Sequence, residues 1–486
     1  MKNKESVPVT GKGRFEMKKS ICLLLSVFLC AAALLPAGAA VRGDVDRDGV
    51  LSASDARLAL RQSVELETYL PGSLRFQAAD ADGNGEVTAG DARTLLRRAV
   101  GLSEEEAAPA PEAGEVTAEF ALGQTKFALD LLKNQTKNTP GNVLLSSLSA
   151  SYALAMTANG AAGDTQKQLL DAMGAPDADT LNAQLYALAA QTPQTDACRL
   201  TLANSIWINR ADRAFVQPGF LRTNLRWYDA GVNLSDFDDA APAVINNWAS
   251  EHTDGMIPSI VDRTDPSTVM ILMNALCMDA QWEQKYSEGL VSDWNFTTAA
   301  NETVKVKMMQ GEERLYLENE NAVGFIKPYA GGFLRFAAIL PRGDLSMDAF
   351  LETLDAQALA DLLNNAQKEH VKVKLPKFSF SYNTSLKRSL SDLGVTDLFT
   401  PGGADLSVML RPPFSAYVDD VLQKTFIDVD SEGTRAAAVT AVIITKNGLA
   451  PTEEKRVILD RPFLFVITAG EQNVPVFIGV VGNPAV

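Results

Sequence analysis

Two acidic segments near the start of the chain share one residue pattern, and this repeat constrains the local fold more strongly than any other feature. The first runs from Asp44 to Asp55, and the second, from Asp80 to Asp91, follows it by 36 residues. Both have the spacing D-x-D-x-[DN]-G with a carboxylate at the twelfth position. This spacing gathers oxygen atoms around one point, as Ca²⁺ requires. One acidic turn fits such a pattern by chance, but two at a fixed offset predict a pair of EF-hand-like calcium loops.

The two loops predict two Ca²⁺ ions as cofactors. Gly49 and Gly85 stand at loop position six, where the backbone turns sharply. The predicted ligands of the first loop are Asp44, Asp46, Asp48, the Val50 carbonyl and Asp55, with Ser52 nearby. Those of the second loop are Asp80, Asp82, Asn84, the Glu86 carbonyl and Asp91, with Thr88 nearby. An amphipathic helix is predicted after each loop.

Residues 41–102, with two calcium loops each followed by one helix and Asp rather than Glu at the twelfth position, resemble a dockerin. The resemblance implies a small α-helical, calcium-dependent module that binds a cohesin domain on a scaffold protein, as in a cellulosome-like polysaccharide-degrading complex. It also implies that residues just before the last ligand select the cohesin. Here these residues are Ala53, Ser54, Ala89 and Gly90.

The first 40 residues predict export of the chain. A basic segment, Met17–Lys19, precedes the apolar run Ile21–Leu35 and the small residues Ala37–Ala39. This order is typical of a secretory signal peptide, here with an upstream extension. No other apolar run is long enough to span a bilayer, so no membrane insertion is expected. The net charge of −16 argues against nucleic acid as a partner. The predicted location is therefore secreted, either extracellular or on the cell surface through a scaffold.

A second, larger domain is predicted at residues 117–486, after an acidic linker rich in proline and alanine at 103–116. Helical patterns dominate its first half and strand patterns its second half, which indicates the α+β class. The predicted elements include a helix from Tyr152 to Asn159 with Ser149 as its N-cap, and one strand from Val371 to Ser381. Cys198 and Cys277 are either buried thiols or one disulfide bridge.

The larger domain lacks the sequence motifs of common enzymes. It has no G-x-S-x-G, no Walker loop, no H-E-x-x-H and no dinucleotide fingerprint. Its two histidines, His252 and His370, have no evident catalytic partner, so both are expected to be structural or exposed. The sequence therefore predicts that the protein is not an enzyme, and a hydrolase remains a distant alternative.

An alanine-rich run, Thr434–Ile444, has the composition of a strand but stands between a turn and a loop. Ser431–Gly433 predicts a turn before it, and Lys446–Pro451 predicts a loop after it. Its side chains are small or β-branched, and it has no charge after Arg435. An ordinary hairpin with a long tip is one interpretation. A strand that begins in an exposed position and pairs later is another.

The larger domain resembles a serpin over its whole length. The matching segments are Asn142–Ser149, Leu202–Trp207, Ile245–Trp248, Thr253–Ile257, Met273–Leu276, Trp282, Leu375–Phe378, Asp392–Gly394, Gly403–Ser407, Asp460–Phe465, Phe477–Gly479 and Asn483–Pro484. The resemblance implies three β-sheets, about nine helices and an exposed reactive centre loop on a monomeric domain. It also implies a serine protease inhibitor: the protease cuts the loop and forms an acyl-enzyme, and the cut loop then inserts into the main sheet.

The resemblance assigns roles to particular residues. The hinge of the loop would be Gly433, Thr434, Ala436, Ala437 and Ala438. The residues at which the sheet opens would be Ser146, Ser149, Asn274, Gln423 and Trp282. The chain departs from the family pattern at several positions. Gln423 stands where His is frequent, Arg435 and Ser431 where Glu is frequent, Ser147 where Pro is common, and Val439 where a smaller residue is usual.

The position of the reactive bond in the family, counted along the insertion strand from Thr434, would place it between Asn447 and Gly448. The bond Lys446–Asn447 is the alternative, since a lysine suits a trypsin-like protease, while Thr445 or Ile444 would suit elastase- or subtilisin-like enzymes. Two functions stay open at this point. One is a protease inhibitor attached through its dockerin to a scaffold. The other is a non-inhibitory serpin that serves as a protease substrate or binding module on the same scaffold.

Overall fold

The computed structural model describes residues 43–47, 51–69, 73–81, 87–101, 111–137, 141–253, 255–434 and 454–485. The chain divides into two compact units, residues 1–106 and 107–486, and the division falls inside the predicted linker. The predicted signal peptide lies outside the described residues. Within the described parts of the chain, no helix has both the length and the apolar character needed to cross a membrane.

The smaller unit contains two loop-helix repeats, as predicted. Its helices are α1 (Ala53–Ser63), α2 (Leu74–Ala79) and α3 (Ala89–Ala99). Helices α1 and α3 both begin with a capping box, in which the last carboxylate of each calcium loop accepts hydrogen bonds from the N-cap residue. A small apolar core that includes Val45, Ala59, Tyr69 and Leu95 joins the two repeats. The intervening helix α2 was not predicted.

The larger unit has nine α-helices among its described residues. They are α4 (Ala118–Thr136), α5 (Ser147–Ala158), α6 (Gly163–Met173), α7 (Ala178–Ala190), α8 (Pro218–Tyr228), α9 (Ala241–His252), α10 (Met347–Thr353), α11 (Ala356–Asn364) and α12 (Lys387–Asp392). Helix α4 begins at its N-cap Thr117, whose hydroxyl accepts a hydrogen bond from the Phe120 amide. Its buried face includes Phe120, Phe127 and Leu131.

The described residues of the larger unit also form three β-sheets. Their strands are β1 (Val143–Leu145), β2 (Gln194–Thr195), β3 (Cys198–Asn209), β4 (Gly231–Ser235), β5 (Met270–Gln281), β6 (Ser292–Thr297), β7 (Thr303–Glu313), β8 (Leu315–Glu318), β9 (Ala322–Pro328), β10 (Leu334–Pro341), β11 (Val371–Pro376), β12 (Phe378–Ser385), β13 (Leu422–Val429), β14 (Gly433–Thr434), β15 (Lys455–Ile458), β16 (Phe463–Ala469) and β17 (Val474–Val481).

The six-stranded sheet has the order β1-β17-β16-β10-β9-β8 and lies in the core. Every residue of β16 and β17 is buried, so these strands are continuous apolar runs rather than alternating ones. Phe336 stacks on Phe465 within this sheet, and Phe465 in turn contacts Phe378 of another sheet. The four-stranded sheet has the order β15-β11-β7-β6, with β15 parallel to β11.

The main sheet has the order β12-β13-β14-β5-β3-β2, with β4 beside β3. Alternate residues of β13, from Gln423 to Val429, are buried, because one face of this strand packs on the core. Strands β3 and β5 form the longest antiparallel pair, from Cys198 opposite Ala280 to Ile208 opposite Met270. Cys198 and Cys277 are both buried and in the thiol form, with no disulfide between them, which resolves the alternative that the sequence left open.

Two element predictions were wrong. The strand predicted from Val371 to Ser381 is two strands, β11 and β12, which belong to different sheets. Pro376 lies at the end of β11, and a proline has no amide hydrogen to continue a ladder. The helix predicted to follow Ser149 begins at Ser147, because the N-cap is Ser146, whose hydroxyl accepts a hydrogen bond from the Ser149 amide.

Candidate functional site: a hinge strand between two parallel strands

The site lies where the chain enters the main sheet between β5 and β13. The two residues of β14 pair antiparallel with both neighbours, with Thr434 opposite Val429 on β13 and opposite Ala280 on β5. Because β14 is antiparallel to both, β5 and β13 run parallel to each other. Among the described residues, β5 and β13 are connected through β14 alone, and no ladder joins them below Thr434.

A cavity of about 860 Å³ extends along these two strands below the hinge. Residues 268–278, which include most of β5, line one side, and residues 415–427, which include most of β13, line the other. The start of α5 and the segment after α9 also line the cavity. The edges of β5 and β13 that face it carry backbone N–H and C=O groups suited to pairing with a further strand.

The upper end of the site is a turn, Asp430–Glu432, that a neighbouring segment holds through its backbone. The Trp282 amide donates to the Glu432 carbonyl at 2.9 Å, and the Tyr286 amide donates to the Ser431 carbonyl at 2.9 Å. The Trp282 indole N–H donates to the Asp430 carbonyl at 2.8 Å, and its ring, which is 2% exposed, stacks on Tyr329. The structure thus places Trp282 beside the turn from which the hinge emerges.

The two hinge residues are fitted closely to this position. A Cβ atom on Gly433 would lie 2.2 Å from the Ala280 carbonyl oxygen, so only glycine fits there. Thr434 is buried, and its hydroxyl lies 2.5 Å from the Tyr329 hydroxyl. The other predicted hinge residues, Ala436, Ala437 and Ala438, lie outside the described residues, as do Lys446, Asn447 and Gly448.

Polar side chains meet beside the middle of the cavity. The Gln423 side chain pairs with the backbone of Ser146 in both directions: its Oε1 accepts from the Ser146 amide at 3.0 Å, and its Nε2 donates to the Ser146 carbonyl at 2.8 Å. The Ser146 hydroxyl in turn accepts from the Ser149 amide. The structure thus brings Ser146, Ser149 and Gln423 together, and Trp282 lies apart from them at the end of β5.

Asn274 faces the same cavity from β5. Its Nδ2 donates to the Asn204 side chain at 2.9 Å. Its Oδ1 is buried and has no hydrogen-bond partner among the residues that the structure describes. A buried acceptor without a donor is costly, so this oxygen is a position where a new strand would gain a hydrogen bond.

Charged residues around the turn were not predicted from the sequence. Lys285 pairs with Glu432 at 2.7 Å, and Lys377 pairs with Glu288 at 2.7 Å. Glu288 also accepts a hydrogen bond from the Ser431 hydroxyl. The hydrogen bond from Lys377, followed by the one from Ser431, lowers the pKa of Glu288 below its usual range. Ser431, one of the departures from the family pattern, is therefore engaged through its hydroxyl.

The predicted calcium loops place their carboxylates at the starts of α1 and α3. Ligand oxygens of Asp44, Asp46 and Asp55 all lie within 4.8 Å of one another. Asp55 is fully buried and accepts from the Val45 amide at 2.6 Å and the Ser52 amide at 2.8 Å. Hard, closely spaced oxygens of this kind fit Ca²⁺.

The second loop repeats this arrangement. Asp91 accepts from the Ala81 amide at 2.8 Å and from the Thr88 amide at 2.8 Å, and Asp80 precedes them. The predicted ligands Asp48, Val50, Asp82, Asn84 and Glu86 lie outside the described residues. The predicted cohesin contacts are the first residues of α1 and α3, and Ser54, Ala89 and Gly90 are exposed there, whereas Ala53 is half-buried.

Among the described residues, the two histidines occupy a structural and an exposed position. His252 stacks on Trp248 at the end of α9, and its Nδ1 lies 2.7 Å from the Trp248 carbonyl oxygen. His370 is exposed and directly precedes β11.

Comparison with known proteins identifies both units. Residues 122–484 match the family Serpin (serine protease inhibitor), and residues 42–98 match the Dockerin type I domain. Leukocyte elastase inhibitor A of Mus musculus is 31% identical over 382 residues, which cover 75% of this chain and 100% of that protein. A serpin-like protein of Thermococcus kodakarensis is 32% identical over 375 residues, which cover 74% of this chain and 84% of that protein. The chain belongs to the serpin family.

Solved structures agree with this assignment. The native state of the thermophilic serpin tengpin is 39% identical and superimposes with a TM-score of 0.72, covering 77% of this chain and 96% of that chain. The latent state of the same protein gives a TM-score of 0.68, covering 76% of this chain and 100% of that chain. The predicted fold class, a serpin domain with a small dockerin module, is therefore confirmed.

We predict that Gln423→Met lowers the thermal stability of the native protein. Methionine fills the same space but leaves the buried N–H and C=O of Ser146 without their partner, at a cost of about 1–3 kcal/mol. The adjacent variant Leu422→Met is the control, because Leu422 is 52% exposed and points away from the core. The melting temperatures are measured by circular dichroism. Equal values for the two variants would contradict the role assigned to Gln423.

Proposed function

We propose that this protein is a secreted inhibitor of a serine protease, and that it acts by inserting its cleaved loop between β5 and β13 of the main sheet. The observation that carries the proposal is β14. It begins a strand in the required direction between two parallel neighbours, and the cavity lies in line below Thr434, the last described residue of this strand. Strand addition of this kind supplies main-chain hydrogen bonds along both edges.

The register of β14 specifies where later residues would go. Each further residue of the loop moves one residue back along both β5 and β13. Continued insertion would therefore bring Thr440 to the row that holds Asn274 and Gln423. Its hydroxyl would face the Asn274 Oδ1 that has no partner among the described residues. Arg435 and Val439 would fall on the opposite face, where charge and bulk are easier to accommodate.

The chemical step belongs to the protease. The serine hydroxyl of the protease attacks the carbonyl carbon of Asn447, or of Lys446 in the alternative register. The peptide bond to the next residue breaks, the new amine takes up a proton and leaves, and an ester links the inhibitor to the protease. Inhibition requires that insertion carry this ester away before water hydrolyses it. The inhibitor itself needs no catalytic residue, so we propose that it is not an enzyme.

The smaller unit suggests where the inhibitor is held. We propose that two Ca²⁺ ions, one per loop, order the dockerin, and that it binds a cohesin domain on the scaffold of a polysaccharide-degrading complex through residues at the starts of α1 and α3. This is supported by the match to the dockerin family and by the paired carboxylates of the first loop. The proposed location is extracellular, or on the cell surface through that scaffold.

Incubation with a panel of serine proteases tests inhibition. We expect a covalent complex that survives SDS, and the mass of the released peptide gives the cleaved bond. Thr434→Arg should convert the inhibitor into a substrate, because a charge at this buried position would displace β14 from between β5 and β13 and remove the start of the inserted strand. Arg435→Ala is the matched control and should still form the complex. Clean cleavage of the wild-type loop by every protease, without complex, would favour the non-inhibitory alternative.

Calcium titration of the full chain by calorimetry tests the smaller unit. We expect two ions for the wild type and one ion for each of the variants Asp55→Asn and Asp91→Asn, because each variant removes a negative ligand from one loop. Asp130→Asn, on a helix of the larger unit, should leave both sites intact. A single ion in the wild type, or two ions in each loop variant, would contradict the assignment.

A further inference from the structure

A buried ion pair lies beneath the turn that precedes the hinge. The Lys327 ammonium on β9 is 2.6 Å from Glu313 Oε1 on β7, and the two side chains are only 3% and 7% exposed. These strands belong to different sheets, the six-stranded and the four-stranded one. A buried pair of this kind contributes little to stability compared with apolar residues of similar size, so its position is more informative than its energy.

Several contacts join the ion pair to one neighbouring segment, Trp282–Tyr286. The Lys327 ammonium donates to the Gln284 carbonyl at 2.7 Å and lies over the rings of Tyr286 and Trp282, at 4.1 Å and 5.4 Å from their centres. The Tyr286 hydroxyl donates to Glu313 Oε1 at 3.2 Å. Burial raises the pKa of Tyr286 well above its ordinary value, so this hydroxyl remains a donor.

The same segment holds the turn before the hinge. Its first and last amides, those of Trp282 and Tyr286, donate to the carbonyls of Glu432 and Ser431. Gln284 and Tyr286 of this segment thus contact the ion pair, and the amides of Trp282 and Tyr286 donate hydrogen bonds to the turn. The turn has no freedom to shift along the sheet while both sets of contacts persist.

We propose that Lys327 and Glu313 are positioning residues for loop insertion, because they anchor the segment that keeps the start of β14 in register. The proposal rests on the inhibitory function proposed above. Once the loop is cut, β14 must lengthen from a fixed starting point, since a register slip of one residue would exchange its two faces. If the pair held the Trp282–Tyr286 segment less firmly, insertion would be slower. Water would then have more time to hydrolyse the acyl-enzyme.

The test compares Lys327→Met, Glu313→Gln and the double variant Lys327→Met/Glu313→Gln with the wild type. The double variant leaves no unpaired buried charge, yet it lacks the charged anchor. We expect all three to consume several-fold more inhibitor molecules per protease trapped, with an unchanged rate of loop cleavage. Lys307→Met is the control, because Lys307 also lies on β7 but pairs with Asp293 on the surface. A double variant that traps the protease as efficiently as the wild type would overturn the proposal.

Hydrogen exchange on the intact variants provides a readout that needs no protease. We expect the amides of the Trp282–Tyr286 segment to exchange faster in all three variants by about tenfold, and to be unchanged in the Lys307→Met control. Unchanged exchange in the double variant would also overturn the proposal. If the wild type forms no protease complex, the inhibitory function fails, and the exchange result alone decides whether the pair anchors the turn.

Discussion

The structure depends on two parallel strands, β5 and β13, that the described residues connect only through β14. β5 and β13 lie on either side of β14, whose described residues are Gly433 and Thr434, and no described ladder joins the two strands below that point. Unpaired strand edges are normally avoided because they attract other chains. Here the chain itself supplies a segment of strand composition, Thr434–Ile444, directly after the point of entry. We therefore propose that the main sheet has a position for one more strand and that this segment can occupy it.

At the upper end of the site several contacts hold the turn and the hinge, whereas further down a buried acceptor has no hydrogen-bond donor among the described residues. At the top, Gly433 fits where a Cβ would collide with Ala280, and Trp282 and Tyr286 hold the preceding turn. Below, the Oδ1 of Asn274 has no donor among the described residues. Insertion would leave the anchored contacts in place and add hydrogen bonds further down. If the loop inserts as proposed, the native state would be retained by a barrier rather than by greater stability, and so would be kinetically stable.

The sequence predicted those parts of the site that have a local pattern. The repeated acidic spacing indicated two loop-helix units, and Ser431–Gly433 indicated a turn before the hinge strand. Resemblance to a family assigned Gly433, Gln423 and Asn274, whose roles in insertion await test. The pairing of Gln423 with the Ser146 backbone joins residues 277 apart in the chain, and no local pattern reveals it. The ion pair of Lys327 with Glu313 was missed although the two residues are only 14 apart, because it joins strands of two different sheets. The split between β11 and β12 was missed because Lys377 alone separates the two strands, so the strand pattern in the sequence continues across the break at Pro376.

The central claim is that β5 and β13 can accept one more strand from this chain. It is tested most directly by thermal unfolding of the intact protein and of the protein after its loop has been nicked by a protease that it does not trap. The account predicts that the nicked protein melts tens of degrees higher, with amides of β5 and β13 more strongly protected from hydrogen exchange. A nicked protein with the same melting temperature and unchanged protection along β5 and β13 would contradict it.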